Sequence, residues 1–96
     1  MNYSEKQVEN YLKKRIDGLC FKWVSPGNDG VPDRIVIFKG AVYFVELKNR
    51  TGRLSAVQIW RQKQFAKAGV KIWVLWDYEQ VNEFIDEITR LSAARG

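Results

Sequence analysis

Two apolar runs rich in β-branched and aromatic residues, Arg34 to Phe38 and Ala41 to Leu47, are separated by Lys39-Gly40. Such runs on either side of a short Gly-containing turn predict a β-hairpin. With the turn centred on Lys39-Gly40, facing residues have numbers that sum to 79: Phe38 faces Ala41, Ile35 faces Phe44 and Asp33 faces Glu46. A two-residue or a four-residue loop gives this register, whereas a three-residue loop would slip it by one. Directly opposed side chains have Cβ atoms roughly 4.5–5.5 Å apart, and like charges placed there destabilise the pair. Two carboxylates converging with no Arg facing them in the hairpin suit a hard divalent cation, Mg²⁺ or Mn²⁺, which takes oxygen ligands. Side chains alternate along a strand, so Lys48 projects on the same face as Glu46 and arrives beside the cation. Asp29 is the rival ligand, but it lies on a loop, whereas Asp33 opens the strand and opposes Glu46.

A chain of 96 residues is predicted to form one domain over residues 1–96, with a single core that is marginal without a partner. Its 46% hydrophobic content excludes disorder, and it has neither a membrane-length apolar run nor a signal-peptide layout, so a cytoplasmic, intracellular protein is expected. The single cysteine, Cys20, has no internal disulfide partner; it reads as a small buried hydrophobe on a strand. With no histidine, zinc-type clusters and His-based triads are excluded. Sixteen Lys and Arg against eleven Asp and Glu, and a pI near 9.5, fit a polyanionic partner such as nucleic acid and equally a merely soluble basic protein.

Along the chain, Ser4-Glu5-Lys6-Gln7 reads as a capping box with Tyr3 and Val8 as its staple. Val8, Tyr11, Leu12, Ile16 and Leu19 follow at helical spacing as a buried stripe. Glu9 lies at the border of that stripe, facing a cleft or pairing with Lys13. Leu19 to Val24 reads as a first strand and Ser25 to Gly30 as a loop. After the hairpin, residues 49–53 form a basic loop suited to DNA backbone. Ser55-Ala56-Val57-Gln58 opens a second capped helix ending at Gly69, with Val57, Ile59, Phe65, Ala66 and Ala68 on one face. Gln58 lies in that face, serving the backbone or pointing into the cleft, while Trp60 points outward as surface cover, a dimer contact or a stacking platform. Ile72 to Trp76, apolar on both faces, reads as a central strand, and Asp77 caps a last helix built on Val81, Phe84, Ile85, Ile88, Leu91 and Ser92.

Pro32-Asp33, twelve intervening residues and then Glu46-Leu47-Lys48 resemble the PD-(D/E)XK nuclease signature. Within that superfamily the stretch from Gly30 to Ser55, with Gln58, is similar to the VRR-NUC family (virus-type replication-repair nucleases). The resemblance implies an α/β, restriction-endonuclease-like core in the order α-β-β-β-α-β-α, a mixed sheet flanked by helices, which is the order that the patterns give. It also implies a Mg²⁺- or Mn²⁺-dependent endonuclease hydrolysing DNA phosphodiester bonds, with branched DNA such as Holliday junctions as substrate. The cation would be held by Asp33, Glu46 and the Leu47 carbonyl, with Lys48 at the attacking water. The resemblance favours Glu9 near the metal, through water, and Gln58 turned into the cleft. Arg50, Arg53, Asn28, Lys22 and Arg34 are the expected DNA contacts, and a homodimer using Trp60 is the expected active form. The alternatives are an inactive DNA-binding or assembly protein with the same fold, or a flap or RNA nuclease.

Overall fold

A computed structural model describes residues 3–49 and 51–95. The elements run α1 (Glu5–Arg15), β1 (Leu19–Lys22), β2 (Arg34–Phe38), β3 (Ala41–Leu47), α2 (Ala56–Lys67), β4 (Ile72–Leu75) and α3 (Tyr78–Arg95). This is the α-β-β-β-α-β-α order expected. The sheet order is β1-β2-β3-β4, with β1, β2 and β3 antiparallel and β4 parallel to β3. The mixed pattern follows from the connections: a two-residue turn joins β2 to β3, whereas β3 must cross over through α2 to reach a parallel neighbour.

Lys39 and Gly40 take φ values of 47° and 81°, the left-handed pair that a two-residue hairpin turn requires, and the strands pair with Arg34 opposite Val45 and Phe38 opposite Ala41. The register that sums to 79 therefore holds. Both capping boxes form, Ser4 with Gln7 and Ser55 with Gln58, each giving two backbone N–H groups a partner. At the end of α2, Gly69 has φ 86°; its N–H donates to the Ala66 carbonyl and that of Val70 to Phe65, a Schellman close.

The core lies between one sheet face and the pair α1 and α3. Val8, Leu12 and Ile16 meet Val36, Phe38, Val45, Leu47 and Leu75, closed by Val81, Phe84 and Ile88. Each such side chain contributes about 1.5–3 kcal/mol through burial. Tyr78 stacks between Tyr3 and Tyr11, at ring-centroid distances of 3.9 and 4.1 Å, which fastens the start of the chain and α1 to α3.

The other face carries α2 over β3 and β4, with Phe65 edge-on to Phe44 at 5.5 Å. On this face three cross-strand rows follow one another: Leu19–Ile37–Val42, then Phe21–Ile35–Phe44, then Trp23–Asp33–Glu46, whose first link is the Trp23 N–H to Asp33 carbonyl bond of 2.9 Å. The first two rows are apolar and α2 leaves much of them open: Leu19, Phe21 and Val42 are 52, 54 and 54% exposed.

Three expectations are corrected. Leu19 is not part of the helical stripe: α1 ends at Arg15, Ile16 turns to extended backbone, and Gly18 passes so close to β2 that a Cβ there would lie 2.4 Å from the Ile37 carbonyl oxygen. β4 is an edge strand and not a central one; its two apolar faces answer to α2 and α3, and coverage of faces says nothing of how many ladder neighbours a strand has. On α2 only Phe65 of the expected apolar face turns to the sheet, while Val57, Ile59, Ala66 and Ala68 are exposed, because the helix rides over one half of the sheet. No helix among the described residues is long and apolar enough to cross a membrane.

Candidate active site

The third row of the open face ends in two carboxyl groups. Asp33 immediately precedes β2, and its Oδ1 accepts from the Leu47 N–H at 3.3 Å, which ties it to the end of β3. Glu46 is only 6% exposed on β3, and its Oε2 accepts from Gln58 Nε2 at 3.3 Å. Burial, and then the nearby charge of Asp33, push the Glu46 carboxyl up to about 7, against the partial relief of Lys48. Burial also raises Asp33, although Arg34 and the Leu47 N–H pull the other way. Two acidic groups are both driven toward the neutral form even with Arg34 and Lys48 nearby, so the site has room for the further positive charge of a cation.

Gln58 resolves the choice left open by the sequence, because it does both things: its Oε1 accepts from the Ser55 N–H at 2.9 Å while its Nε2 reaches Glu46. The capping box thus fixes the side chain that touches the site. Lys48 continues β3 past its last paired residue, its N–H donating to the Leu75 carbonyl at 3.1 Å. The loop beyond is folded on itself by Thr51 donating to Asn49 Oδ1, and Trp76 Nε1 holds the Gly52 carbonyl at 3.1 Å. Arg53 is exposed on this loop, and Arg50 lies outside the described residues.

Glu9 and Arg34 occupy the opposite sheet face. The Glu9 carboxylate meets Arg34 Nε at 2.5 Å, Lys6 at 3.2 Å and Lys13 at 3.8 Å. Burial alone would raise its pKa, but the bonds from Arg34 and Lys6 outweigh this and hold it below the ordinary value. Arg34 in turn donates through Nη1 to the Asp33 carbonyl at 2.9 Å and stands 3.6 Å from Asp33 Oδ2. Glu9 therefore reaches the carboxyl pair through Arg34, and Arg34 is committed to this ion pair, with little of its side chain left for a phosphate. The sequence held the signal for this link: Arg34 shares strand parity with buried Val36 and Phe38, and a cation on a core-facing position needs an acidic partner such as border residue Glu9.

Lys22 is exposed at the end of β1 in register with Arg34, and Asn28 lies on the exposed 25–30 turn with its Nδ2 on Ser25 Oγ at 3.1 Å; neither is bonded to the carboxyl pair. Asp29 sits on the same turn, its carbonyl accepting from Arg61 Nε at 2.7 Å, so the residue bonded to the end of β3 is Asp33. Gly30, at φ 80°, lets this turn lie against α2, where an added Cβ would come within 2.7 Å of the Val57 carbonyl oxygen. Among the described residues no group of three or more His, Cys, Asp or Glu side chains converges. A cation here would rest on two carboxylates and backbone oxygen, completed by water and phosphate, a hard all-oxygen set that fits Mg²⁺ or Mn²⁺.

The family model described as a nuclease-related domain matches residues 2–95. The chain belongs to the nuclease-related domain family. It is also 33% identical over 75 residues to "Putative nuclease p44" of Acyrthosiphon pisum secondary endosymbiont phage 1, a match covering 74% of this chain and 81% of that protein. Among solved structures a VRR_NUC domain superposes with a TM-score of 0.76 and 29% identity, covering 88% of this chain and 97% of that one. The nuclease-related domain thus has a PD-(D/E)XK-type nuclease fold. VRR-NUC, the family that its motifs resemble, is its structural neighbour.

Proposed function

We propose that this nuclease-related domain is a metal-dependent, structure-selective DNA endonuclease acting on branched DNA such as Holliday junctions, close in its chemistry to the VRR-NUC proteins. The observation that carries this reading is the convergence of buried Glu46 and half-buried Asp33 at the end of an otherwise apolar sheet face. Asp33, Glu46 and the Leu47 carbonyl would hold Mg²⁺ or Mn²⁺, which when bound polarises the scissile phosphate and lowers the pKa of a coordinated water. Lys48 places its ammonium on the same face, where it orients the attacking water and offsets negative charge gathering on the phosphate. Gln58 holds the Glu46 carboxylate in one orientation. Arg34, braced by Glu9, fixes the Asp33 backbone and keeps a positive charge near its carboxylate. Arg50 and Arg53 contact DNA phosphates in the loop beyond Lys48.

The active form in this reading is a homodimer. The sequence points to Trp60 as the contact surface, but the uncovered rows through Leu19, Phe21 and Val42 offer more contiguous, uncharged area. They lie on the same sheet face as the carboxyl pair, so a two-fold copy seated there would turn both sites toward one junction.

The test is a cleavage assay on junction, flap, duplex and RNA substrates with and without Mg²⁺ or Mn²⁺, paired with sedimentation. Metal-dependent nicking of junctions by a dimer, lost in Asp33→Ala and reduced to monomeric behaviour in Phe21→Asp, is the expected result. DNA binding without cleavage under every metal condition would leave an inactive binding protein, and a monomer that cuts only flaps or RNA would remove the junction reading.

A further inference from the structure

From residue 47 to residue 76 the chain carries seven Lys and Arg and no Asp or Glu, while the rest has nine cations against eleven acids. The basic character is thus concentrated in the loop leaving the site, in α2 and in the approach to β4. Within α2, Trp60, Lys63 and Lys67 fall on the side opposite Phe65, the residue packed on the sheet. All three are exposed, Trp60 by 52%, and with Gln64 they line a cleft of about 310 Å³.

The indole is held by its neighbour. The Arg61 guanidinium lies 4.7 Å from the Trp60 ring centroid and is fixed by bonds to the Asp29 carbonyl at 2.7 Å and Gln64 Oε1 at 2.8 Å. A cation on one ring face orients the ring, and an oriented aromatic ring is a surface on which a base stacks. The same helix begins at the site, because Gln58 on its first turn touches Glu46, and Trp60 lies about 3 Å further along the axis on the far side of the helix.

We propose that the outer face of α2 is a platform for an unpaired DNA strand, with Trp60 stacking one base and Lys63 and Lys67 neutralising phosphates on either side of it. A second copy of the chain fits this face poorly: a two-fold contact of α2 with itself would set Lys against Lys with no carboxylate on the helix to pair them. A polyanion with exposed bases meets both the charge and the ring. The platform deepens the nuclease reading, on which it rests, by assigning the substrate an unpaired stretch next to the cut.

Binding is measured by fluorescence anisotropy with a labelled oligothymidylate and a blunt duplex, on the full chain in EDTA, so that the outcome does not depend on cleavage. Trp60→Ala should weaken single-strand binding by roughly 5- to 150-fold, Trp60→Phe should recover most of it, and duplex binding should change little. Lys63→Ala with Lys67→Ala should flatten the single-strand salt slope by about 1.4. Wild-type affinity of Trp60→Ala for the single strand overturns the platform. So does a Trp60→Ala protein that turns from dimer to monomer in sedimentation at unchanged affinity per chain, since the ring would then be an interface. Failure of cleavage in the separate assay removes the nuclease reading and leaves the binding result standing.

Discussion

The helices α2 and α3 are both outer elements, yet they are built on opposite principles. α3 spans 18 residues, buries Val81, Phe84 and Ile88, and carries Glu79, Glu83, Asp86 and Glu87 against Arg90 and Arg95. α2 spans 12 residues, has no fully buried residue, and carries Arg61, Lys63 and Lys67 with no acid at all. One closes the core, and the other lies along the site with Gln58 on Glu46. The difference teaches that the net charge of +5 is not a uniform coat. The helix with a strict apolar stripe does the folding, and the helix whose stripe is broken is free to carry binding groups.

Breaking that division should be easiest at the site itself. Asp33→Ala, Glu46→Ala and Lys48→Ala should each lower cleavage by about 10³-fold or more, on the scale of a lost charge-stabilising group, while thermal melts show α3 and the core intact. Cleavage within tenfold of wild type in Asp33→Ala would shift the ligand to Asp29. On the folding side of the comparison, Phe84→Ala should cost about 3–5 kcal/mol in urea unfolding, whereas Ile59→Ala on α2 should cost less than about 1 kcal/mol. Equal losses would mean that α2 shares the work of holding the core.

A third expectation concerns pH. The folded Glu46 carboxyl sits at about 7, above its ordinary 4.5, so the folded state binds the proton more tightly than the unfolded chain. The contribution of this group to the stability of the metal-free protein is then fully present below about pH 4.5 and is lost as pH rises through 7, a decline on the order of 2–3 kcal/mol. Unfolding in EDTA from pH 5 to pH 8 should show this decline in wild type and much less of it in Glu46→Gln. A flat wild-type profile would mean that the carboxyl is not held near neutrality. A smaller effect follows from the same repulsion: without metal, Asp33→Asn should melt a few degrees above wild type, and Mg²⁺ should raise the wild-type midpoint more than the mutant's. The smallest is Arg53→Ala, which should reduce the duplex salt slope by about 0.9 and leave the fold unchanged.

Much of this organisation is legible in the sequence where local chemistry decides it. Lys39-Gly40 fixes a two-residue turn, and that turn fixes which carboxylates oppose each other. Ser4 with Gln7 and Ser55 with Gln58 mark two helix starts through bonds confined to four residues. What escaped is set by neighbours distant in sequence. Leu19 fits the helical period of α1, but the tight passage of Gly18 across β2 decides that it belongs to β1. The apolar pattern of β4 reports two covered faces and cannot report an absent ladder partner. Arg34 reads as a basic residue beside a nuclease motif until Glu9, 25 positions earlier, is brought against it.

The contact of Gly30 with α2 sets a mechanical tolerance for the whole site. The turn that leads into Pro32 and Asp33 rests on the helix bearing Gln58, and the spacer between them is the hydrogen atom of a glycine. The two halves of the carboxyl pair, one fixed from the turn and the other held from the helix, are thus gauged against each other chiefly by backbone on backbone: an added Cβ would meet the Val57 carbonyl oxygen at 2.7 Å, with the Arg61 Cγ beside it at 3.1 Å. A single methyl group added at position 30 would act as a shim, moving Asp33 and Gln58 apart together without touching any residue that does chemistry.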